Sequence, residues 1–231
     1  ALFAKLFEEI ADMILVGDSL NMSFAGRPDT LSATLEQMIY HTKAVCTGAS
    51  KAFVILDMPF GTYINKDIAL TNAVKVYAQT NAAAIKIEGG EDKADIIKHL
   101  TSNSIAVMGH IGLMPQYVRS EGGYKVRGKT KEDEEQLIRD AIAVEKAGAF
   151  AIVVEGVMSN VAKKITNAVN IPIIGIGAGN VTDGQVLVWS DMLGFFEEFK
   201  PKFVRHYMQG ASLVKEAVNQ YRNDVQDSSF P

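Results

Sequence analysis

Cysteine is nearly absent from this chain. Cys46 stands alone among 231 residues, so there is no disulfide framework, and a reducing cytoplasm is the expected setting. Basic tracts are missing too. With a net charge of −4 and no interleaving of aromatic and basic residues, nucleic acid is not an expected partner. The longest apolar runs are strand-sized rather than bilayer-sized, so no membrane association is expected, and no signal-peptide pattern is visible. No Cys–His cluster offers ligands to zinc. The glycine-rich stretch GIGAGNVTDG lacks the third glycine of G-x-G-x-x-G, because Asn180 stands there, so a dinucleotide site is weakly supported. An initiating Met is also missing. LFAKLFEEIA reads at once as an amphipathic helix, with Leu2, Phe3, Leu6, Phe7 and Ile10 on one stripe. Residues ahead of Ala1, and a cut after Pro231, are therefore expected.

What is present is an ordinary globular composition, 48% hydrophobic and 22% charged. Short apolar runs recur and close on polar residues or glycine: MILVGDS, FVILDMPFG, AIKIEGG, IAVMGHIG, FAIVVEGV, IPIIGIGAG and QVLVWSD. Such runs fit strands buried on both faces, as in parallel sheets. Helical patterns lie between them. Leu31, Leu35, Met38 and Ile39 share one stripe, and Leu70, Val74, Tyr77 and Ala78 another. Thr130 and Asp133 resemble a capping box ahead of Leu137, Ile138, Ala141 and Ile142, with Gly148 as the stop. Val161, Ala162, Ile165 and Val169 mark one more helix, while the methionines and Trp189 look like core.

Alternation of strand and helix calls for a parallel sheet covered by helices. Seven strands plus one ahead of Ala1 would close a (βα)8 TIM-type barrel, a single domain over residues 1–231. A doubly wound open sheet is the alternative. Polar residues at the ends of several different strands favour the barrel, since an open sheet concentrates its site at a switch point.

Those strand ends carry Asp18 and Ser19, Asp57, Lys86 and Glu88, His110, and Glu155. Three acids facing one bowl would repel each other unless a cation sat between them, and oxygen ligands favour Mg²⁺. Each acid could instead cap the helix after its strand. Lys86 and Glu88 share a strand face, which is costly when buried without partners. Either they form a structural ion pair, or Lys86 is aimed at an anionic substrate. Glu155, partly desolvated, could act as a general acid or base. His110 is a satisfied core group, a substrate contact or a contact behind the reacting residues. RSEGGYKVRGKTKEDEE is a mobile lid or a solvated loop, and GIGAGNVTDG could line one wall of the pocket. Together these residues fit a metal chelating an anionic keto compound, with chemistry through an enolate.

LVGDSLNM, DMPFGTY, IKIEGG, GHIGLMPQ, GGYKVRG and IPIIGIGAGNVTDGQVLVWSDMLG, in this order, resemble the ketopantoate hydroxymethyltransferase family from about Phe3 to the C-terminus. Asn21 stands where the family often has Gly. The resemblance implies magnesium at Asp18, Asp57 and Glu88. It implies contacts to an α-keto acid from Asp18, Ser19, Asp57 and Lys86, with Glu155 as proton acceptor. The implied substrates are 3-methyl-2-oxobutanoate and 5,10-methylenetetrahydrofolate, the product 2-dehydropantoate on the way to pantothenate. Members are cytoplasmic homo-oligomers, commonly decamers. The alternatives are a Mg²⁺-dependent phosphoenolpyruvate mutase-like lyase acting on another α-keto acid, or a catalytically silent keto-acid-binding protein.

Overall fold

The computed structural model describes residues 1–197 and 201–231. They divide into two compact units, Ala1–Gln185 and Val186–Pro231.

The first unit is built on a seven-stranded sheet of β1 (Met13–Val16), β2 (Phe53–Asp57), β3 (Ala84–Glu88), β4 (Val107–Gly112), β5 (Ala151–Glu155), β6 (Ile173–Ile176) and β7 (Gly184–Gln185). All pairings are parallel and the strand order is the sequence order. A doubly wound sheet would reverse direction at a switch point. None occurs, so the sheet winds one way as a barrel wall does. β3 and β4 are buried along their whole lengths. That is the physical content of the apolar runs: helices cover one face and the barrel side the other.

Helices α1 (Leu2–Phe7), α2 (Leu20–Ser23), α3 (Leu35–Gly48), α4 (Lys66–Gln79), α5 (Ala94–Ser102), α6 (Lys131–Lys146) and α7 (Ser159–Ala168) complete this unit. α3 opens on a full capping box between Thr34 and Gln37. Leu31 therefore lies ahead of the helix whose stripe it was expected to share. The buried face of α4 is Ala69, Ala73 and Val76, with Leu70 and Tyr77 only partly buried and Val74 exposed. Alanine brings helix and sheet backbones close, so the face in contact is the small one and the larger side chains flank it. α6 has half of its expected box. Thr130 accepts from the Asp133 N–H, but the Asp133 carboxylate turns to Arg127 and to the Gly128 N–H. Gly148 ends α6 with φ of 92°, in the left-handed region. Val161, Ala162 and Ile165 of α7 are buried as expected.

Three further expectations fail. QVLVWSD is not a strand: β7 stops after Gln185, and a short helix α8 (Trp189–Met192) begins four residues later. α1 exists, but Leu2, Leu6 and Ile10 face solvent and only Ala4 is buried. Among the methionines, Met38, Met58 and Met108 are core, whereas Met22 and Met158 are exposed. The second unit carries α8 and α9 (Gly210–Gln226). No described helix is long and apolar enough to cross a membrane.

Candidate active site at the strand ends

Strand register assembles the site. Asp57 on β2 lies opposite Lys86 on β3, and Glu88 lies opposite His110 on β4. Lys86 and Glu88 are two residues apart, so both point to the same face. Gly112 at the end of β4 pairs with Glu155 on β5. Its φ of 97° turns the chain there, and an added Cβ would meet the Glu155 carbonyl oxygen at 2.3 Å. Only glycine fits this close approach.

Asp18, Asp57, Lys86, Glu88 and His110 are all at most 3% exposed. Lys86 Nζ lies 2.9 Å from Asp57 Oδ1, 3.0 Å from His110 Nδ1 and 3.9 Å from Glu88 Oε1. An ammonium only donates, so His110 Nδ1 must accept and Nε2 must carry the proton. Nε2 then donates to Leu113 O at 3.1 Å, with Glu155 Oε2 at 3.4 Å. His110 thus joins Lys86 to Glu155. Glu155 itself is 23% exposed.

Burial raises the pKa of Asp18 to about 7, with the charge of Asp57 adding to the rise and Lys86 and Gln116 opposing it. Glu88 is also pushed well above the ordinary glutamate value, chiefly by burial. Burial would lower the pKa of Lys86, but Asp57, Glu88 and Asp18 outweigh it and hold the amine charged. His110 is shifted down by burial and by the Lys86 charge, and stays neutral. Three buried acids thus face one buried ammonium.

None of these acids caps the helix after its strand. α2 has Ser19 at its N-cap with no side-chain cap bond, and Asp57 Oδ2 accepts from the Asp18 N–H at 3.2 Å. Asp57 Oδ1, though near Lys86, makes no directed hydrogen bond and is buried. The donor set fits a divalent cation, since Asp18, Asp57 and Glu88 are buried carboxyl groups around the single Lys86 ammonium. No three His, Cys, Asp or Glu side chains among the described residues are grouped to hold a metal ion between them. Mg²⁺ needs only one or two carboxylates when water and substrate oxygens fill its octahedron, so Asp18 and Asp57 could hold it. Glu88 is turned elsewhere, with Oε2 accepting from the Gln116 N–H at 3.1 Å.

Sequence reasoning missed Gln116. It sits in the turn Pro115–Tyr117 after β4, and its Nε2 donates to Asp18 Oδ2 at 2.9 Å. Its place in GHIGLMPQ carried no signal, since an isolated glutamine in a turn is usually solvated. Two cavities of about 370 and 280 Å³ open beside it, both lined by Phe60, Gln116 and Ser120. The polar segment 119–135 is pinned rather than plainly solvated. Arg127 N–H donates to Gly156 O and Met158 N–H to Arg127 O, next to Glu155. In the glycine-rich loop, Gln185 Nε2 donates to Gly179 O and to Thr182 Oγ1, closing the loop on itself.

The family model described as ketopantoate hydroxymethyltransferase matches residues 1–231. The chain belongs to this family. A relative from Aliarcobacter butzleri, named 3-methyl-2-oxobutanoate hydroxymethyltransferase, is 90% identical over 231 residues, all of this chain and 86% of the relative. Relatives of the same name from a Nitratiruptor species and from Helicobacter pylori are 65% and 56% identical over all of this chain, covering 88% and 86% of their own lengths. A member of this family is an enzyme, which leaves the silent binding protein disfavoured.

Solved structures share the fold at low identity. Phosphonopyruvate hydrolase in complex with oxalate and Mg²⁺ aligns over 98% of this chain and 79% of its own, with TM-score 0.60 and 15% identity. A 2,3-dimethylmalate lyase of the PEP mutase/isocitrate lyase superfamily aligns over 97% and 77%, with TM-score 0.56 and 16% identity. At such identity the likeness speaks to the barrel alone.

Proposed function

We propose that this chain transfers a hydroxymethyl group from 5,10-methylenetetrahydrofolate to 3-methyl-2-oxobutanoate, giving 2-dehydropantoate for pantothenate synthesis. The observation that carries this is the end-to-end family match of residues 1–231, in a chain whose strand ends bring Asp18, Asp57, Lys86 and Glu155 into one hydrogen-bonded site. The lyase-like alternative rests on fold likeness only and is not favoured. Residues 1–231 act in this proposal as one catalytic domain, in a cytoplasmic homo-oligomer, a decamer by resemblance.

Asp18 and Asp57 would hold Mg²⁺, with Glu88 contributing charge from behind. When bound, the cation supplies positive charge that polarises the keto group. Ser19, at the start of α2, and Lys86, held charged between Asp57 and His110, orient the α-keto acid and offset its carboxylate. Glu155, exposed enough to be reached, accepts the C3 proton, with His110 Nε2 3.4 Å from its carboxylate. The carbanion at C3 bonds to the methylene carbon as one folate carbon–nitrogen bond breaks, and water then breaks the second, its proton going to the folate nitrogen. Water supplies the hydroxyl oxygen, and tetrahydrofolate departs. The cavities lined by Phe60, Gln116 and Ser120 give the larger co-substrate room beside the acids.

The test is NMR of 3-methyl-2-oxobutanoate in D₂O, with and without Mg²⁺, before and after adding 5,10-methylenetetrahydrofolate. Metal-dependent loss of the C3 proton signal, then a new hydroxymethyl signal once folate is present, is expected. Exchange without product would transfer the case to the lyase-like reaction.

A further inference from the structure

A buried glutamine is costly unless its amide is satisfied on both sides. Gln116 is 4% exposed and fully engaged. Its Nε2 donates to Asp18 Oδ2 at 2.9 Å and to Met58 O at 2.9 Å, while its Oε1 accepts from the Tyr63 hydroxyl at 2.5 Å. Its backbone N–H donates to Glu88 Oε2 at 3.1 Å. One residue thereby ties the chain just after β1, just after β2 and at the end of β3. The amide can face only one way. Reversed, its oxygen would confront a carboxylate and a carbonyl, and its NH₂ would lose the acceptors it now has.

We infer that Gln116 is a positioning residue of the site, locked in orientation by Tyr63. It occupies one oxygen of Asp18 and one of Glu88, which fixes both carboxylates. Gln116 acts through Asp18 and Glu88, and Tyr63 acts through Gln116. The inference rests on the proposal that Asp18 meets the metal and the keto acid.

Gln116→Met keeps the length of the side chain and removes the amide. Mn²⁺ titration of the full chain without substrate, followed by electron paramagnetic resonance, is expected to show about tenfold weaker binding. The KM for 3-methyl-2-oxobutanoate should rise about as much. Tyr63→Phe should weaken Mn²⁺ binding about fivefold, with no further loss when added to Gln116→Met. Unchanged Mn²⁺ affinity and KM in Gln116→Met would overturn the inference, as would single effects that multiply in the double variant. If Gln116→Met does not fold, Tyr63→Phe decides alone: a loss supports the lock and parental binding removes it. A parental chain that binds no Mn²⁺ sinks the metal reading separately. The KM of Gln116→Met and Tyr63→Phe then decides the positioning role.

Discussion

The cluster of Asp57, Lys86, Glu88 and His110 and the cluster of Glu121, Arg127 and Asp133 both set acids around a cation. The first is at most 4% exposed at every side chain, whereas the second is 23–26% exposed. Arg127 donates through Nε and Nη2 to Asp133 and through Nη1 to Glu121, a planar cation matched to two carboxylates. Each partner keeps some water, so this pairing costs little and pins the segment beside Glu155. Lys86 instead serves two acids and a neutral imidazole in the interior, where desolvation consumes much of the attraction. A core built for stability alone would do as well with apolar residues there. The excess of buried acid over buried cation is what the proposed function accounts for with a bound ligand.

That contrast can be broken at three points, beginning with the largest effect. Lys86→Met leaves Asp57 and Glu88 without their cation. Turnover should fall roughly 10²–10³-fold and the folded state should lose about 3–5 kcal/mol, read from kcat and from urea unfolding. Parental stability would show that the acids find other compensation. Glu155→Gln should separate chemistry from packing, because Glu155 is partly open to solvent. C3 exchange in D₂O should slow about 10²-fold or more with the melting temperature nearly unchanged. Exchange at the parental rate would move Glu155 to another proton.

The smallest effect belongs to the loop cluster. Burial alone would raise the pKa of Asp133, but the Arg127 hydrogen bonds and the Gly128 N–H outweigh it and hold the carboxyl below the ordinary aspartate value. A depressed folded-state pKa stabilises above the unfolded value, about 3.9, and that contribution is lost as pH falls through the folded value. Asp133→Asn should therefore cost about 1 kcal/mol near neutral pH, with the gap to the parent closing in acid. A gap that persists at low pH would mean that shape rather than charge is lost.

Much of the site was legible because parallel strands are written plainly. Continuous apolar runs closing on Asp18, Asp57, Glu88 and Glu155 put acids at strand ends, and the spacing of Lys86 and Glu88 put both on one face. Local chemistry at helix ends was equally readable at Thr130 and Gly148. The face of α4 was not, because Leu70, Val74, Tyr77 and Ala78 are more apolar as a set than Ala69, Ala73 and Val76. Which stripe is buried depends on how closely helix and sheet can approach. QVLVWSD has the composition of a strand, but Gln185 is the one residue of it that pairs with β6.

The sequence by itself determined the order of the first six strands, the parallel barrel wall and the charged side chains at its rim. Those follow from local periodicity and from chain length between strands. Only the tertiary structure decided that Lys86 reaches His110, that His110 reaches Glu155, and that Gln116 binds Asp18 across 98 residues of chain. Such contacts depend on strand register and on the path of the turn after β4, and no local pattern encodes either.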